Sequence, residues 1–293
     1  LRLQVLTLRN TLTALACAGV PVLLLVLLRY AEIGKLGGIL GERLGTSVEI
    51  GPNFISSVLD ICFPLALGLA IHEKRKPVKT GLSLIAALYA LCLLATSSRG
   101  SMIGCVAVVI YLAWRSRSIK RMAAILLVAA ALGSVFGAKM VARLVTPDRH
   151  DMYSNIGRVE MLRSGFKVLK DNHFLFGIGM DNFRKEKFSY GFPSWFDTIS
   201  GMSSHNTHLE IWLGWGLLGL VGWLYIWISG IIYTARLRPD SEYHYLRAPL
   251  ILVSIAFFSH GFFDSMVALF PFLLLVFCFL ACLAFAVSQG SGI

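Results

Sequence analysis

The sequence has 293 residues, 56% of them hydrophobic, and a mean hydropathy of +0.71. Several long runs are almost free of charge, which excludes a soluble domain and indicates a polytopic helical membrane protein. The net charge of +11 would suggest a nucleic-acid partner for a soluble protein, but most of the excess lies in short loops, where it orients a protein in the membrane.

The apolar runs predict eight membrane-spanning helices. In chain order they cover residues 6–28, 54–71, 82–96, 102–114, 123–141, 209–233, 248–263 and 267–284. The first contains Pro21, which a membrane helix tolerates. The six cysteines lie in apolar runs without zinc-like spacing, so we interpret them as buried packing residues. The predicted organisation is residues 1–144 with five spans, a polar segment 145–207, and residues 208–293 with three spans.

Short basic loops set the predicted orientation. Loops 72–79, 115–121 and 236–247 contain four, four and three Lys or Arg residues, and they alternate correctly to share one side. By the positive-inside rule that side is the cytoplasm. Four pieces then share the other side, which is the periplasm or the cell exterior, and can converge on one site: residues 29–51, Arg99, the segment 145–207 and Asp264.

The segment 145–207 is predicted to contain a short amphipathic helix over 156–169. Apolar residues recur there at helical spacing: Val159, Leu162, Phe166 and Leu169. Arg158 would open this helix directly after Gly157, and an arginine at a helix N-terminus opposes the helix dipole. This placement indicates that another group recruits Arg158, with a solvated surface arginine as the alternative.

Two histidines and an amide lie at the edge of the sixth span. Thr207-x-x-Glu210 predicts a capping box with Thr207 as N-cap and Glu210 at N3. His205 and Asn206 then precede a helix N-terminus, where the dipole and free N–H groups favour an anion. We interpret His205 as a base candidate or a merely hydrogen-bonded histidine, and His208 as a hydrogen-bonded packing residue.

Three other polar side chains lie in or beside apolar runs. Arg99 occupies a minimal turn between two spans, so it either faces a polar cavity or anchors the chain at the interface by snorkelling. Asp264 is either a turn residue or part of the lining of the site. His260 lies within a span and can hydrogen-bond a neighbouring helix.

The remaining motifs exclude other kinds of chemistry. Gly177-Ile178-Gly179 lacks the third glycine and the preceding strand of a dinucleotide fingerprint. The sequence has no Ser-centred nucleophile elbow. It also has no HExxH motif or paired-carboxylate cluster for a metal. We therefore predict no cofactor and no metal ligand.

Four sequence elements, on the same side and in order, resemble the motifs of one family. They are Arg43 with Gly51-Pro52-Asn53, the turn Ser97-Ser98-Arg99-Gly100-Ser101, Gly157-Arg158 with the turn Phe176-Gly177-Ile178-Gly179-Met180-Asp181-Asn182-Phe183, and His205-Asn206-Thr207-His208-Leu209 with Gly214-x-Gly216-Leu217-Leu218-Gly219-Leu220. Over residues 40–285 the chain resembles the O-antigen ligase / Wzy-type polymerase superfamily of bacterial envelope glycosyltransferases. Residues 172–176 lack a proline that often precedes the family's Gly-x-Gly turn. Eight spans are fewer than the usual ten to twelve, so we expect the full protein to be longer.

The resemblance implies an all-α, polytopic transmembrane bundle of the GT-C-like kind, multi-pass in the bacterial inner membrane, with a partly helical periplasmic loop. It implies an inverting, metal-independent transfer of a glycan from polyprenyl (undecaprenyl) diphosphate to an acceptor hydroxyl. Arg99, Arg158 and His205 would be catalytic, with both arginines on the diphosphate. The substrate-binding residues would also include Arg43, Asn53, Asn206 and His208.

The chemistry of these residue types agrees with that reaction. Arginines stay charged and bind phosphate bidentately, so they suit a diphosphate leaving group and can take the role of a divalent cation. A histidine can accept a proton near neutral pH. The partners would be the lipid-linked donor, the acceptor and membrane lipids, and no nucleic acid.

Three functions agree with these residues. We favour an O-antigen ligase, which attaches O-antigen to lipid A–core in lipopolysaccharide biosynthesis. The first alternative is a Wzy-type polymerase, whose acceptor is a second lipid-linked glycan. A transporter of lipid or anionic solute is the alternative from another class, but we find no internal repeats or broken helices in matching positions.

Overall fold

A computed structural model describes most of the chain. The described residues are 2–32, 52–96, 98–116, 118–120, 122–123, 127, 145, 149–194, 204–241 and 243–264. Over these residues the chain is helical and contains no β-strand. The prediction of an all-α, polytopic fold is confirmed.

Nine α-helices are described, numbered in chain order. They are α1 (Arg2–Cys17), α2 (Gly19–Glu32), α3 (Pro52–His72), α4 (Lys76–Thr96), α5 (Arg99–Arg115), α6 (Arg149–Val168), α7 (Phe183–Glu186), α8 (Thr207–Ala235) and α9 (Arg247–His260). A π-helix (Leu169–His173) continues α6, and a 3₁₀ turn (His244–Leu246) precedes α9.

Within the part of the chain that the structure describes, four helical segments are long and apolar enough to cross a membrane. They are Leu8–Leu28, Asn53–His72, Lys76–Thr96 and Thr207–Ala235, in the places of the first, second, third and sixth predicted spans. The predicted fourth and seventh spans correspond to α5 with 17 residues and α9 with 14. The eighth span lies outside the described residues after Asp264, and the fifth lies almost wholly outside them.

The first predicted span is interrupted, but not at the proline itself. The turn falls at Ala18, between α1 and α2. Pro21 has no N–H to donate to the carbonyl of Cys17, four residues earlier. The series of helical hydrogen bonds is therefore interrupted one turn before the proline. The N–H of Ala18 instead donates to the Leu15 carbonyl at 3.1 Å.

The described residues form two compact units. The first contains the described residues up to 127 together with those at 230–260, and α3 lies at its centre, packed against α1, α4 and α9. Glycines allow the closest approaches. A Cβ at Gly68 would overlap the backbone of Pro249, and one at Gly104 would lie 3.0 Å from the Ala256 carbonyl oxygen. Small residues at helix contacts are typical of membrane bundles.

A buried carboxylate follows the last residue of α3. The Glu73 side chain is only 3% exposed and pairs with the guanidinium groups of Arg9 and Arg75. Burial by itself raises the pKa of this carboxyl. Hydrogen bonds from the Arg75 backbone N–H, at 2.8 Å, and from both guanidinium groups outweigh that effect and lower the pKa to about 2. Glu73 is therefore ionised and ties α1 to the turn before α4.

The second unit contains residues 145–229 and 261–264 of the described chain. Here α6 packs against the first turns of α8. A Cβ at Gly165 would lie 3.1 Å from the Leu209 side chain and 3.3 Å from that of Leu213. The core between them consists of Val168, Leu169, Phe183, Leu209 and Leu213. The predicted apolar face of the helix is therefore only half right, because Val159 and Phe166 are 46% and 47% exposed.

Helix α8 is broken at Gly216. Gly216 has φ 68° and ψ −168°, a conformation open almost only to glycine. The break frees the carbonyls of Leu213 and Gly214, which accept hydrogen bonds from the N–H groups of Ile178 and Gly179 at 2.7 and 3.0 Å. The N–H of Leu217 beyond the break donates to the Phe174 carbonyl at 2.8 Å.

The two Gly-x-Gly elements are thus one interlocked structure. Gly177 has φ 69°, and a Cβ there would lie 2.5 Å from the Leu213 carbonyl oxygen. A Cβ at Gly216 would overlap the Leu175 carbonyl. Backbone packs directly on backbone, which only glycine permits. In transporters, the free carbonyls of a broken helix often coordinate ions. In this chain the carbonyls of Leu213 and Gly214 accept hydrogen bonds from backbone N–H groups instead, which weakens the transporter alternative.

Candidate functional site

His205 and Asp264 form a pair in the second unit. Nδ1 of His205 lies 3.3 Å from Oδ1 of Asp264. The side chains are 12% and 3% exposed, respectively. With the carboxylate ionised, Nδ1–H donates the hydrogen bond and Nε2 is the ring nitrogen able to accept a proton. This is the relationship between a base and the group that orients it.

His205 is held in a left-handed backbone conformation, with φ 51°. Such a φ is uncommon for residues with a side chain and persists only where the surroundings enforce it. The neighbouring Ser204 is tied down on both sides. Its N–H donates to Oε2 of Glu210 at 2.8 Å, and its hydroxyl donates to the Asn206 carbonyl at 2.8 Å.

The N-cap of α8 is Asn206, so the predicted capping box is wrong by one residue. Oδ1 of Asn206 accepts a hydrogen bond from the N–H of Leu209, three residues on, at 2.9 Å. Its Nδ2 donates to the Phe262 carbonyl at 3.2 Å. The amide side chain fits the capping position, which leaves the Thr207 hydroxyl for another partner.

Thr207 links α8 to the chain before Asp264. Its hydroxyl donates to the Asp264 carbonyl at 2.7 Å, and its N–H donates to the carbonyls of Gly261 and Asp264 at 2.7 and 3.1 Å. These bonds hold Asp264 beside the loop that carries His205. The side chain that was predicted to be the cap therefore builds the His205–Asp264 pair.

His208 is a packing residue with a hydrogen bond. Only 9% of it is exposed, and Trp223 Nε1 donates to its Nδ1 at 3.1 Å. Its ring centroid lies 4.4 Å from that of Phe262. The environment agrees with the interpretation of His208 as a hydrogen-bonded packing residue, while its substrate-binding role stays a prediction.

Arg158 lies inside α6, not at its start. The helix begins at Arg149, nine residues earlier, so the argument from an unfavourable helix dipole does not apply. Arg158 and Gly165 are two turns apart and share one side of the helix. Because Gly165 packs against Leu209, Arg158 lies on or near the side of α6 that faces α8.

Arg99 is the first residue of α5 in the first unit. Ser98 is the N-cap residue, with an extended backbone and no side-chain capping hydrogen bond within the described chain. In the same first turn the buried hydroxyl of Ser101 has no hydrogen-bond partner among the described residues. Arg99 itself is partly exposed. An arginine at such a position adds its charge to the positive end of the helix.

Arg43 and Asn53 are two further predicted substrate-binding residues. Arg43 lies outside the described residues. Asn53 lies in the first turn of α3, after Pro52, and its carbonyl accepts bonds from the hydroxyls of Ser56 and Ser57 at 3.0 and 2.7 Å. The roles of Arg43, Asn53 and Asn206 in substrate binding stay predictions.

The sequence interpretation missed one charged residue entirely. Asp60 lies within the second span and is hydrogen-bonded to His260, and both side chains are fully buried. A carboxylate inside an apolar span is itself a signal of function. Asp264 was noted only as a turn residue or a lining residue, because sequence alone gives no partner 59 positions away.

The apolar helices make this a multi-pass membrane protein, and the His205–Asp264 pair gives it a candidate catalytic site. Residues 84–224 match the family model described as O-antigen ligase. The chain therefore carries an O-antigen ligase domain, and the resemblance to the O-antigen ligase / Wzy-type polymerase superfamily is confirmed.

The family consists of glycosyltransferase-type enzymes, ligases and polymerases, that act in membranes on lipid-linked glycans. The matched range includes Arg99, Arg158 and His205 and ends before Asp264. A comparison with curated proteins finds no match.

Proposed function

We propose that this protein is an O-antigen ligase that moves a glycan from polyprenyl diphosphate to a hydroxyl of lipid A–core. The observation that carries the proposal is the His205–Asp264 pair, together with the O-antigen ligase domain that contains His205. A transferase needs a base for the acceptor hydroxyl and cations for the leaving group. The chain offers both kinds of residue.

His205 is the base in this proposal. Asp264 orients the imidazole through Nδ1, so Nε2 accepts the proton of the acceptor hydroxyl. The left-handed backbone and the hydrogen bonds of Ser204 fix the position of the ring. A fixed base costs little entropy when the acceptor arrives.

Arg99 and Arg158 bind the diphosphate. Each guanidinium presents paired N–H donors that match two phosphate oxygens and remains charged at any physiological pH. Negative charge grows on the diphosphate as the glycosidic bond breaks, so these contacts strengthen in the transition state. The start of α5 at Arg99 supports this role, because its dipole favours an anion there.

The reaction is a single displacement. The acceptor oxygen forms a bond to the anomeric carbon while the bond from that carbon to the diphosphate oxygen breaks, and the electron pair leaves with the diphosphate. The acceptor proton passes to Nε2 of His205 and then to solvent. One displacement inverts the anomeric configuration. Arg43, Asn53, Asn206 and His208 complete the proposed substrate contacts.

The proposed location is the bacterial inner membrane, with the site facing the periplasm. The support is the excess of Lys and Arg in the loops 72–79, 115–121 and 236–247, because the positive-inside rule favours a cytoplasmic position for such loops. Arg99, the segment 145–207 and Asp264 then lie on the opposite side, where lipid-linked glycans are joined to lipid A–core.

The second candidate is a Wzy-type polymerase, since the O-antigen ligase domain does not separate the two activities. The test is a direct assay of purified protein in nanodiscs, given a polyprenyl-diphosphate glycan and either lipid A–core or a second lipid-linked glycan. Transfer to lipid A–core supports the ligase, and chain extension supports the polymerase. Absence of both products with active donor would contradict a transferase.

The same assay tests metal independence. We expect full activity in EDTA, because the arginines neutralise the diphosphate. Loss of activity in EDTA with recovery in magnesium or manganese would overturn this part of the proposal.

A further inference from the structure

Asp60 and His260 form a buried pair inside the membrane-spanning part of the first unit. Asp60 lies within α3 and is 1% exposed, and His260 is the last residue of α9 and is 0% exposed. Nδ1 of His260 is hydrogen-bonded to the Asp60 carboxylate. Ionisable groups are costly in this environment, and apolar side chains of similar volume hold helices together at least as well. We therefore expect the Asp60–His260 pair to have a role other than stabilising the packing of the helices.

The imidazole of His260 forms the surface on which α5 begins. Gly100 is the second residue of α5, and a Cβ there would overlap the His260 ring. One turn later a Cβ at Gly104 would lie 3.0 Å from the Ala256 carbonyl oxygen on α9. The Gly100-x-x-x-Gly104 spacing thus brings the backbones of α5 and α9 together over two turns.

This contact lies one residue from Arg99. Arg99 precedes Gly100 directly and is the first residue of α5. The ring on which Gly100 rests cannot rotate without breaking its hydrogen bond to Asp60. A shift of the ring would shift the backbone at Gly100, and the Arg99 side chain would move with it.

We propose that Asp60 and His260 are positioning residues that hold Arg99 in the geometry required to bind the diphosphate of the donor. The inference rests on the proposed role of Arg99. It adds two residues outside the matched family range, which starts at residue 84 and ends at 224. Neither residue touches the substrate, since both act through Gly100.

The experiment is a double-mutant cycle read out as donor binding. The dissociation constant of a polyprenyl-diphosphate glycan is measured in nanodiscs for the starting protein, Asp60→Asn, Arg99→Ala and the double variant. All four carry His205→Ala, which prevents turnover. Asp60→Asn keeps the shape of the side chain and removes its charge.

We expect Asp60→Asn to weaken donor binding about tenfold when Arg99 is present and less than twofold when Arg99 is already alanine. Asp60→Glu, which keeps the charge, should recover part of the affinity. A purely structural role predicts equal losses in both backgrounds, and that result would overturn the inference. So would normal donor binding by Asp60→Asn.

Failure of the proposed function gives a different pattern. If Arg99→Ala alone binds the donor normally, Arg99 does not hold the diphosphate, and the proposed role of Arg99 falls together with the positioning role. The transferase function itself is tested separately, by transfer of the glycan to the acceptor. If Arg99→Ala is weak but the cycle is additive, only the positioning role is wrong. Cys62→Ala is the matched control, since Cys62 is buried on α3 two residues from Asp60 and contacts the Leu15 carbonyl. It should bind the donor normally. If Asp60→Asn does not fold, the cycle is run with His260→Gln under the same criteria.

Discussion

Nδ1 of His205 lies 3.3 Å from Oδ1 of Asp264, although the two residues are 59 positions apart in the chain. Their proximity depends on Thr207, whose hydroxyl and N–H bind the carbonyls of Gly261 and Asp264. The carboxylate side chain is 3% exposed, so its interaction with the imidazole is little screened by water. This arrangement suits the role of an oriented base that we propose for His205.

Loss of the two histidines should have different consequences. We expect His205→Ala to abolish most transfer and leave donor binding nearly intact, because the base contacts the acceptor and not the diphosphate. His208→Ala should keep substantial activity, since its ring packs on Phe262 and accepts from Trp223. Turnover and donor binding are measured side by side. An inactive His208→Ala enzyme, or His205→Ala with donor binding as weak as in Arg158→Ala, would contradict the base assignment.

Asp264→Asn should lower kcat on the order of 10²-fold, with the KM for donor little changed. The amide has a similar shape but no charge, so it neither fixes the Nδ1–H tautomer nor stabilises the protonated ring. Steady-state kinetics at saturating acceptor provide the measurement. Asp181→Asn is a matched control, because Asp181 is exposed and its φ of 64° suits asparagine equally well. Equal activity of the two variants would argue against an orienting role.

Arg99→Ala and Arg158→Ala should each reduce kcat/KM about ten- to a hundredfold, the loss expected for one charge-assisted phosphate contact. Lysine at either position should recover only part of the activity, because the fork geometry is lost. Arg163→Ala serves as the control on α6, since Arg163 is 67% exposed and pairs with Glu160. Full activity of either alanine variant at normal expression would exclude that arginine from the site.

Gly216→Ala should destabilise the protein by about 2–4 kcal/mol. A Cβ at this position overlaps the Leu175 carbonyl, and the backbone conformation is closed to alanine. Gly222→Ala on the same helix is the control, because its Cβ would meet no described atom within 4 Å. Thermal unfolding in detergent compares the two. Equal stability would mean that the break in α8 does not depend on glycine.

Glu73→Gln should lower the free energy of unfolding by about 1–2 kcal/mol at pH 7. This loss is kept small because Arg75 is exposed, and solvent weakens its ion pair with Glu73. The folded pKa of Glu73, about 2, lies below its ordinary value of 4.5. The stabilisation is therefore complete above about pH 4.5 and is lost as the pH falls towards 2. Melting curves from pH 7 to pH 3 should show the difference between the two proteins shrinking. A constant difference would contradict the linkage.

Much of the fold follows from local sequence. Runs of apolar residues long enough to cross a bilayer determine where α3, α4 and α8 lie, because an unpaired backbone is intolerable in lipid. Arg99 at a turn between two apolar runs, and His205 at the edge of another, are likewise visible in the sequence. These features depend on a residue and its near neighbours, so the chain alone reveals them.

The tertiary structure decided what depends on distant partners. The break at Gly216 requires the turn at 174–179 as its complement, since Ile178 and Gly179 bind the carbonyls that the break releases. Asn206 is the N-cap of α8, because the Thr207 hydroxyl already donates its hydrogen bond to the Asp264 carbonyl. The pairs His205–Asp264 and Asp60–His260 join residues 59 and 200 positions apart. Sequence alone determined which residues are chemically able to act, whereas packing determined which of them meet, because a hydrogen bond depends on distance in space and not on separation along the chain.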